Sequence, residues 1–76
     1  MNKARRKKLA AIYDKITEVK ELLEEIMDEE GEALANLPES LSGSERYQAM
    51  EEAISNMEEA IENLGFAADN IEEAMA

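Results

Sequence analysis

The chain contains no cysteine, no histidine and no tryptophan among its 76 residues, and its single proline is Pro38. Without cysteine, neither a disulfide bond nor a thiolate metal site can form. Without histidine, the di-iron type of helical-bundle site lacks its ligands, and the serines have no recognisable base to activate them. We therefore do not expect an enzyme, and we expect no cofactor and no metal ion.

Long apolar runs are also missing. The N-terminus is basic, as in a signal peptide, but Leu9 to Ile12 is soon followed by Asp14 and Lys15. The apolar core that a signal peptide needs is therefore absent. No window approaches the roughly 20 apolar residues that span a bilayer. We predict a cytoplasmic protein with no membrane partner.

A seven-residue repeat dominates the second half of the chain. It reads MEEAISN from residue 50, MEEAIEN from 57, LGFAADN from 64 and IEEAM from 71. Such a repeat, with apolar residues three and four apart, is typical of a long helix packed on other helices along its whole length. The apolar seam predicted for this helix consists of Tyr47, Met50, Ile54, Met57, Ile61, Leu64, Ala68, Ile71 and Met75.

The first half of the chain predicts a second long helix. Its apolar residues also alternate between spacings of three and four, which indicates an amphipathic helix. The helix should end before Pro38, because a residue preceding proline is disfavoured in helical geometry. The seam predicted for this helix consists of Leu9, Ile12, Ile16, Val19, Leu23 and Ile26.

These patterns predict one all-α domain over residues 1–76, with helix one at 3–35, a loop at 36–43 and helix two at 44–75. Ser42 and Ser44 are both suitable N-caps for helix two. Two long helices joined by a short loop fold best as an antiparallel hairpin. The expected facing pairs are Ile16 with Leu64, Val19 with Ile61, Leu23 with Met57, and Ile26 with Ile54.

A single hairpin of this size should have a thin core, because ordering the chain costs roughly 1.5 kcal/mol per residue. We therefore expect two hairpins to associate as a homodimer, forming a four-helix bundle. The alternative is a monomeric hairpin whose alanines simply favour helix. The candidate self-association face is a stripe of alanines beside the seam of helix two: Ala53, Ala60, Ala67 and Ala74.

Charge is divided unevenly along the chain, whose net charge is −11. Residues 3–8 carry five basic side chains, whereas residues 9–76 carry nineteen acidic and three basic ones. In a hairpin the basic end would lie beside Glu72 and Glu73 and help to set the antiparallel register. Direct binding to nucleic acid is not expected, because the acidic body would repel a polyanion and no aromatic residue interleaves the basic ones.

Acidic residues and one aromatic residue of helix two form a candidate surface for a protein partner. Phe66 is expected on the outward side of the helix. Exposed carboxylates could imitate phosphates and block a nucleic-acid-binding protein, although glutamate is also a common solvent-exposed helix former. The candidate residues are Glu51, Glu52, Glu58, Glu59 and Phe66.

The chain starts with MNKARRKKL and has DEE at 28–30. NLPESL at 36–41, SER at 44–46 and MEEAI at 50–54 then follow in a distinctive order. In these motifs the chain resembles small uncharacterised acidic helical proteins encoded by phages, prophages and mobile elements of gut Firmicutes. The resemblance covers nearly the whole chain. It implies a mobile-element protein that acts inside a bacterial cell, with inhibition of a host system as one expected role.

Three functional classes follow from the sequence. The first is a non-enzymatic helical protein–protein interaction module that acts through the surface of its bundle. The second is an acidic mimic of nucleic acid. The third is a small structural or assembly protein, which would form higher-order assemblies and have no host partner.

Overall fold

The first helix, α1 (Lys3–Ala35), starts at the N-cap residue Asn2. In the computed structural model, which describes residues 1–76, Asn2 Oδ1 accepts a hydrogen bond from the backbone N–H of Arg5 at 2.8 Å. This bond satisfies one of the N–H groups left free in the first turn of the helix. The helix continues through Gly31 and ends at Ala35. The C-cap residue Asn36 donates its backbone N–H to the Glu32 carbonyl oxygen at 3.0 Å.

The connection between the helices contains a single 3-10 turn, Glu39–Leu41. Gly43 follows with a φ of 80°, in the left-handed region that a residue with a side chain rarely adopts. Ser44 then caps the second helix, because its Oγ accepts a hydrogen bond from the backbone N–H of Tyr47 at 3.2 Å. Of the two serines predicted as N-caps, Ser42 and Ser44, it is Ser44 that caps α2 in the structure.

The second helix, α2 (Glu45–Met75), returns along α1, so the chain is an all-α hairpin of two helices with no strand. α1 spans the predicted range 3–35, whereas α2 begins one residue after the predicted residue 44 and ends at the predicted residue 75. The hairpin is elongated, with dimensions of 60 × 14 × 13 Å and a radius of gyration of 17.4 Å. A compact domain of this length would have a radius of gyration of about 11 Å.

The contact between the helices is thin. Ala68 is the only buried residue of the chain, with 8% of its surface exposed. The remaining predicted seam residues of α2 are all partly buried. From α1, the apolar side chains that are partly buried are Leu9, Tyr13, Ile16, Leu23, Met27 and Leu34.

The predicted seam of α1 is wrong for three of its six residues. Ile12, Val19 and Ile26 are 45%, 51% and 53% exposed, so the expected core pairs of Val19 with Ile61 and Ile26 with Ile54 do not form a buried contact. Alternating spacings of three and four place apolar residues in two parallel rows along a helix. α2 covers two neighbouring rows of α1: Leu9, Ile16 and Leu23, and then Tyr13, Lys20 and Met27. The row of Ile12, Val19 and Ile26 lies on the other side of the first row and is left half exposed.

Candidate interaction surfaces

A row of aliphatic side chains runs along the exposed flank of α1. Ile12, Val19 and Ile26 are seven residues apart, so they lie on one line along the helix. Leu22 lies beside this line and is 52% exposed. We refer to these four residues as the aliphatic row. Large apolar side chains that remain half exposed and contiguous are typical of a surface that another molecule covers.

A row of small side chains runs along α2. Ala53, Ala60 and Ala67 are partly buried and Ala74 is exposed, and they too are seven residues apart. We refer to these four as the alanine row. Alanine leaves little side chain between two backbones, so a helix lying on this row can approach closely.

The two rows lie on the same side of the hairpin. At 3.6 residues per turn, the aliphatic row lies roughly a quarter turn around α1 from the line that faces α2, in the direction of decreasing residue number. The alanine row lies at a similar angle, in the same direction, from the line of α2 that faces α1. Because the two helices face each other and run in opposite directions, equal rotations toward lower residue numbers bring both rows to the same side of the hairpin. We call this side of the molecule, made of the aliphatic row and the alanine row, the apolar side.

Residues of the two rows are also level with each other along the hairpin. α1 ends at Ala35 and α2 begins at Glu45, so residues whose numbers add up to about 80 lie at the same height. Three residues of the aliphatic row each have such a level partner in the alanine row. The level pairs are Ile12 with Ala67, Val19 with Ala60, and Ile26 with Ala53.

The opposite side of the hairpin has a different character, and we call it the groove side. An open groove runs there between the helices, with Gly31 of α1 and Glu58 of α2 in its walls. Farther along, the Lys20 side chain crosses toward α2, and its Nζ is 3.8 Å from the position that a Cβ on Gly65 would occupy. The groove is lined by Met27, Asp28, Gly31, Glu32, Ala35, Ile54 and Glu58.

The predicted partner surface on α2 is exposed at every position, but it divides into two rows. Phe66 is 58% exposed and lies in line with Glu52 and Glu59, which precede it by fourteen and seven residues. This outer row points away from α1. Glu51 and Glu58 lie about 100° around the helix, toward the groove side.

The basic N-terminal segment is helical from Lys3 onward and exposed throughout residues 1–8. The antiparallel fold brings it to the same end of the hairpin as Glu72 and Glu73. No group of three or more acidic side chains is placed to hold a metal ion. Neither helix contains a stretch long and apolar enough to cross a membrane.

The alanine row was predicted from the sequence as a self-association face and stays a prediction. The aliphatic row was not predicted as an exposed surface, because Ile12, Val19 and Ile26 were assigned to the contact with α2. A signal was present in the sequence. Together with Leu22, Leu23 and the other apolar residues, these side chains cover about half the circumference of α1, which is wider than one partner helix can cover. The excess width indicates a second packing surface.

Comparison with known proteins adds no relative. No protein-family model matches the chain, and no curated protein and no solved structure is significantly similar to it.

Proposed function

We propose that this protein is a non-enzymatic helical protein–protein interaction module that works as a homodimer. The observation that carries the proposal is the apolar side, where four large aliphatic side chains are about half exposed beside a row of alanines. A side chain of this size contributes roughly 1.5–3 kcal/mol when it is fully removed from water. Covering this side by a second hairpin would produce a four-helix bundle.

In this dimer the outer row of α2, with Glu52, Glu59 and Phe66, would stay exposed and available to a different protein. An exposed aromatic side chain flanked by charged ones resembles the anchor residues that dominate many protein interfaces. The resemblance of the sequence to proteins of phages and mobile elements suggests that this partner belongs to a bacterial host cell. We accordingly propose a cytoplasmic protein that inhibits a host system by binding one of its components.

The dimer is tested by measuring the molar mass with light scattering after size-exclusion chromatography. We expect twice the chain mass of 8.5 kDa, and the same value at low and at high salt, because salt screens charge–charge interactions but does not weaken apolar burial. A monomer at micromolar concentration would contradict the proposed dimer. Association that grows steadily with concentration would instead support a small structural or assembly protein.

The partner surface is tested by affinity capture from bacterial lysate with matched variants. Glu52→Gln with Glu59→Gln removes two charges from the outer row of α2. Glu18→Gln with Glu25→Gln removes the same charge, at the same spacing, from the exposed surface of α1 and serves as the control. A protein captured by the wild type and by the control, but lost with the α2 variant and with Phe66→Ala, is the expected result. Equal capture by all variants would contradict this surface.

An acidic mimic of nucleic acid is the second candidate function. It is favoured by the net charge of −11 and by the exposed carboxylates of Glu51, Glu52, Glu58 and Glu59. A mimic would bind a basic nucleic-acid-binding protein with an affinity that falls steeply as salt is added. If replacement of all four residues by glutamine leaves binding unchanged, this function is excluded.

A further inference from the structure

We propose that a second copy of this chain covers the apolar side in one specific arrangement, with the aliphatic row of each copy packed on the alanine row of the other. The two-fold axis that relates the copies would run parallel to the helices. This inference rests on the proposed dimer and specifies its geometry. It also brings the aliphatic row, which sequence reasoning placed in the hairpin core, into the interface between copies.

The surface area of the hairpin is the first argument for a second copy. A compact protein of this mass is expected to expose about 4,700 Å², whereas this chain exposes 5831 Å². If each copy covers the excess of about 1,100 Å², the pair buries about 2,200 Å² in total, within the range of obligate homodimers. Because the hairpin by itself buries only Ala68, the covering partner is needed for stability. A second copy is synthesised together with the first and is therefore always present to cover the apolar side.

The shape of the apolar side is the second argument, because it is complementary to itself. A two-fold axis parallel to the helices moves α1 of one copy over α2 of the other and keeps every residue at its height. Val19 of one copy then lies on Ala60 of the other, and the same match holds at Ile12 and Ala67 and at Ile26 and Ala53. Large side chains meet small ones at all three levels.

The competing arrangement has its two-fold axis perpendicular to the helices. It would place α1 on α1, with Val19 on Val19 and Ile12 on Ile26, and alanine on alanine between the two α2 helices. Helix axes pack 8–10 Å apart depending on the side chains between them. This arrangement would therefore require a wide spacing on one side and a narrow one on the other. The parallel axis makes the two contacts between copies identical, so the hairpins pack flat.

Disulfide trapping distinguishes the two arrangements, and the natural absence of cysteine makes the background clean. Chains with Val19→Cys and chains with Ala60→Cys are mixed in denaturant, refolded together and oxidised. The single cysteine in each chain prevents any bond within one hairpin. Because disulfides form only between Cα atoms closer than about 7 Å, we expect the mixed pair in about tenfold excess over either pair of identical variants.

The control for trapping combines Glu25→Cys with Glu59→Cys, both on outer surfaces, which should give no efficient cross-link in either arrangement. If Val19→Cys chains cross-link mainly with each other, the perpendicular axis is correct and our arrangement is overturned while the dimer stands. Light scattering on the wild-type chain separates this outcome from failure of the dimer itself. A monomeric wild type would overturn the dimer and the arrangement together.

Discussion

The groove side and the apolar side of the hairpin are built from the same two helices, but they expose different kinds of side chain. On the groove side, charged residues border the groove, and Lys20 lies across the backbone at Gly65. On the apolar side, four aliphatic residues stand half exposed beside alanines. Charged side chains at the groove are stabilised by water, whereas large aliphatic side chains are stabilised by being covered. The two sides therefore differ in how much large aliphatic surface they expose, and this difference is the basis of the proposed contact between copies.

The largest expected effect comes from placing a charge on the apolar side. Val19→Glu should abolish the proposed dimer, because the carboxylate would have to be buried without a partner in the contact between copies. Loss of that contact should lower the free energy of unfolding by roughly 3–5 kcal/mol. Light scattering and thermal unfolding at a fixed chain concentration measure both effects.

Thr17→Glu is the matched control for this variant, since threonine has nearly the shape of valine. Thr17 is exposed and lies toward the groove side, and its hydroxyl donates only to the Tyr13 carbonyl oxygen of its own helix. We expect it to remain dimeric. If both variants behave alike, the two sides do not differ in the way that we describe.

The next effect tests the alanine row by enlarging it. Ala60→Leu should weaken the dimer by about 1–3 kcal/mol, because the added side chain would occupy the space predicted for Val19 of the other copy. The dissociation constant, measured by dilution in sedimentation experiments, reports this change. Ala10→Leu adds the same atoms at an exposed position off the apolar side and should leave the constant nearly unchanged. Tighter association of the Ala60 variant would argue against close packing on this row.

Substitutions of Gly31, in the groove, and Gly43, in the turn, should change stability in opposite directions. A Cβ added at Gly31 would meet no atom within 4 Å, so Gly31→Ala should stabilise the protein by about 1 kcal/mol through helix propensity alone. Gly43→Ala should destabilise it by a comparable amount, because Gly43 has a φ of 80° in the turn. Thermal unfolding of the two variants should therefore shift in opposite directions. A loss of stability in Gly31→Ala would indicate that the groove side is occupied in solution.

The smallest effect on stability is expected at Phe66, which belongs to neither side. Because this side chain is 58% exposed, Phe66→Ala should change the free energy of unfolding by less than about 0.5 kcal/mol. The dimer mass should also be unchanged. A clear loss of dimer would place Phe66 in the contact between copies and remove it from the proposed partner surface.

Prediction from the sequence succeeded where the physical cause is local. The ends of both helices follow from Pro38, from the capping residues and from the three–four spacing of apolar residues, and they agree with the structure. The sequence could not choose between Ser42 and Ser44 as the cap, because both are compatible with the turn. In the structure Gly43 is left-handed, so α2 cannot begin before residue 44, and Ser44 is the N-cap.

The error at Ile12, Val19 and Ile26 has a different origin. Periodicity reports which side chains avoid water, but it does not state which neighbour covers each of them. The alanine row was recognised as a packing surface because small residues at intervals of seven are conspicuous. The large residues of the aliphatic row were assigned to the contact with the neighbouring helix, α2.

The sequence by itself determined that the chain forms two long amphipathic helices joined by a short turn, because helix formation depends on spacing, capping and propensity that neighbouring residues carry. Only the tertiary structure decided how the apolar surface of α1 is shared between α2 and the outside. That division depends on the rotation of each helix about its own axis. The rotation is set by the packing of side chains from both helices, of which Ala68 is the most enclosed.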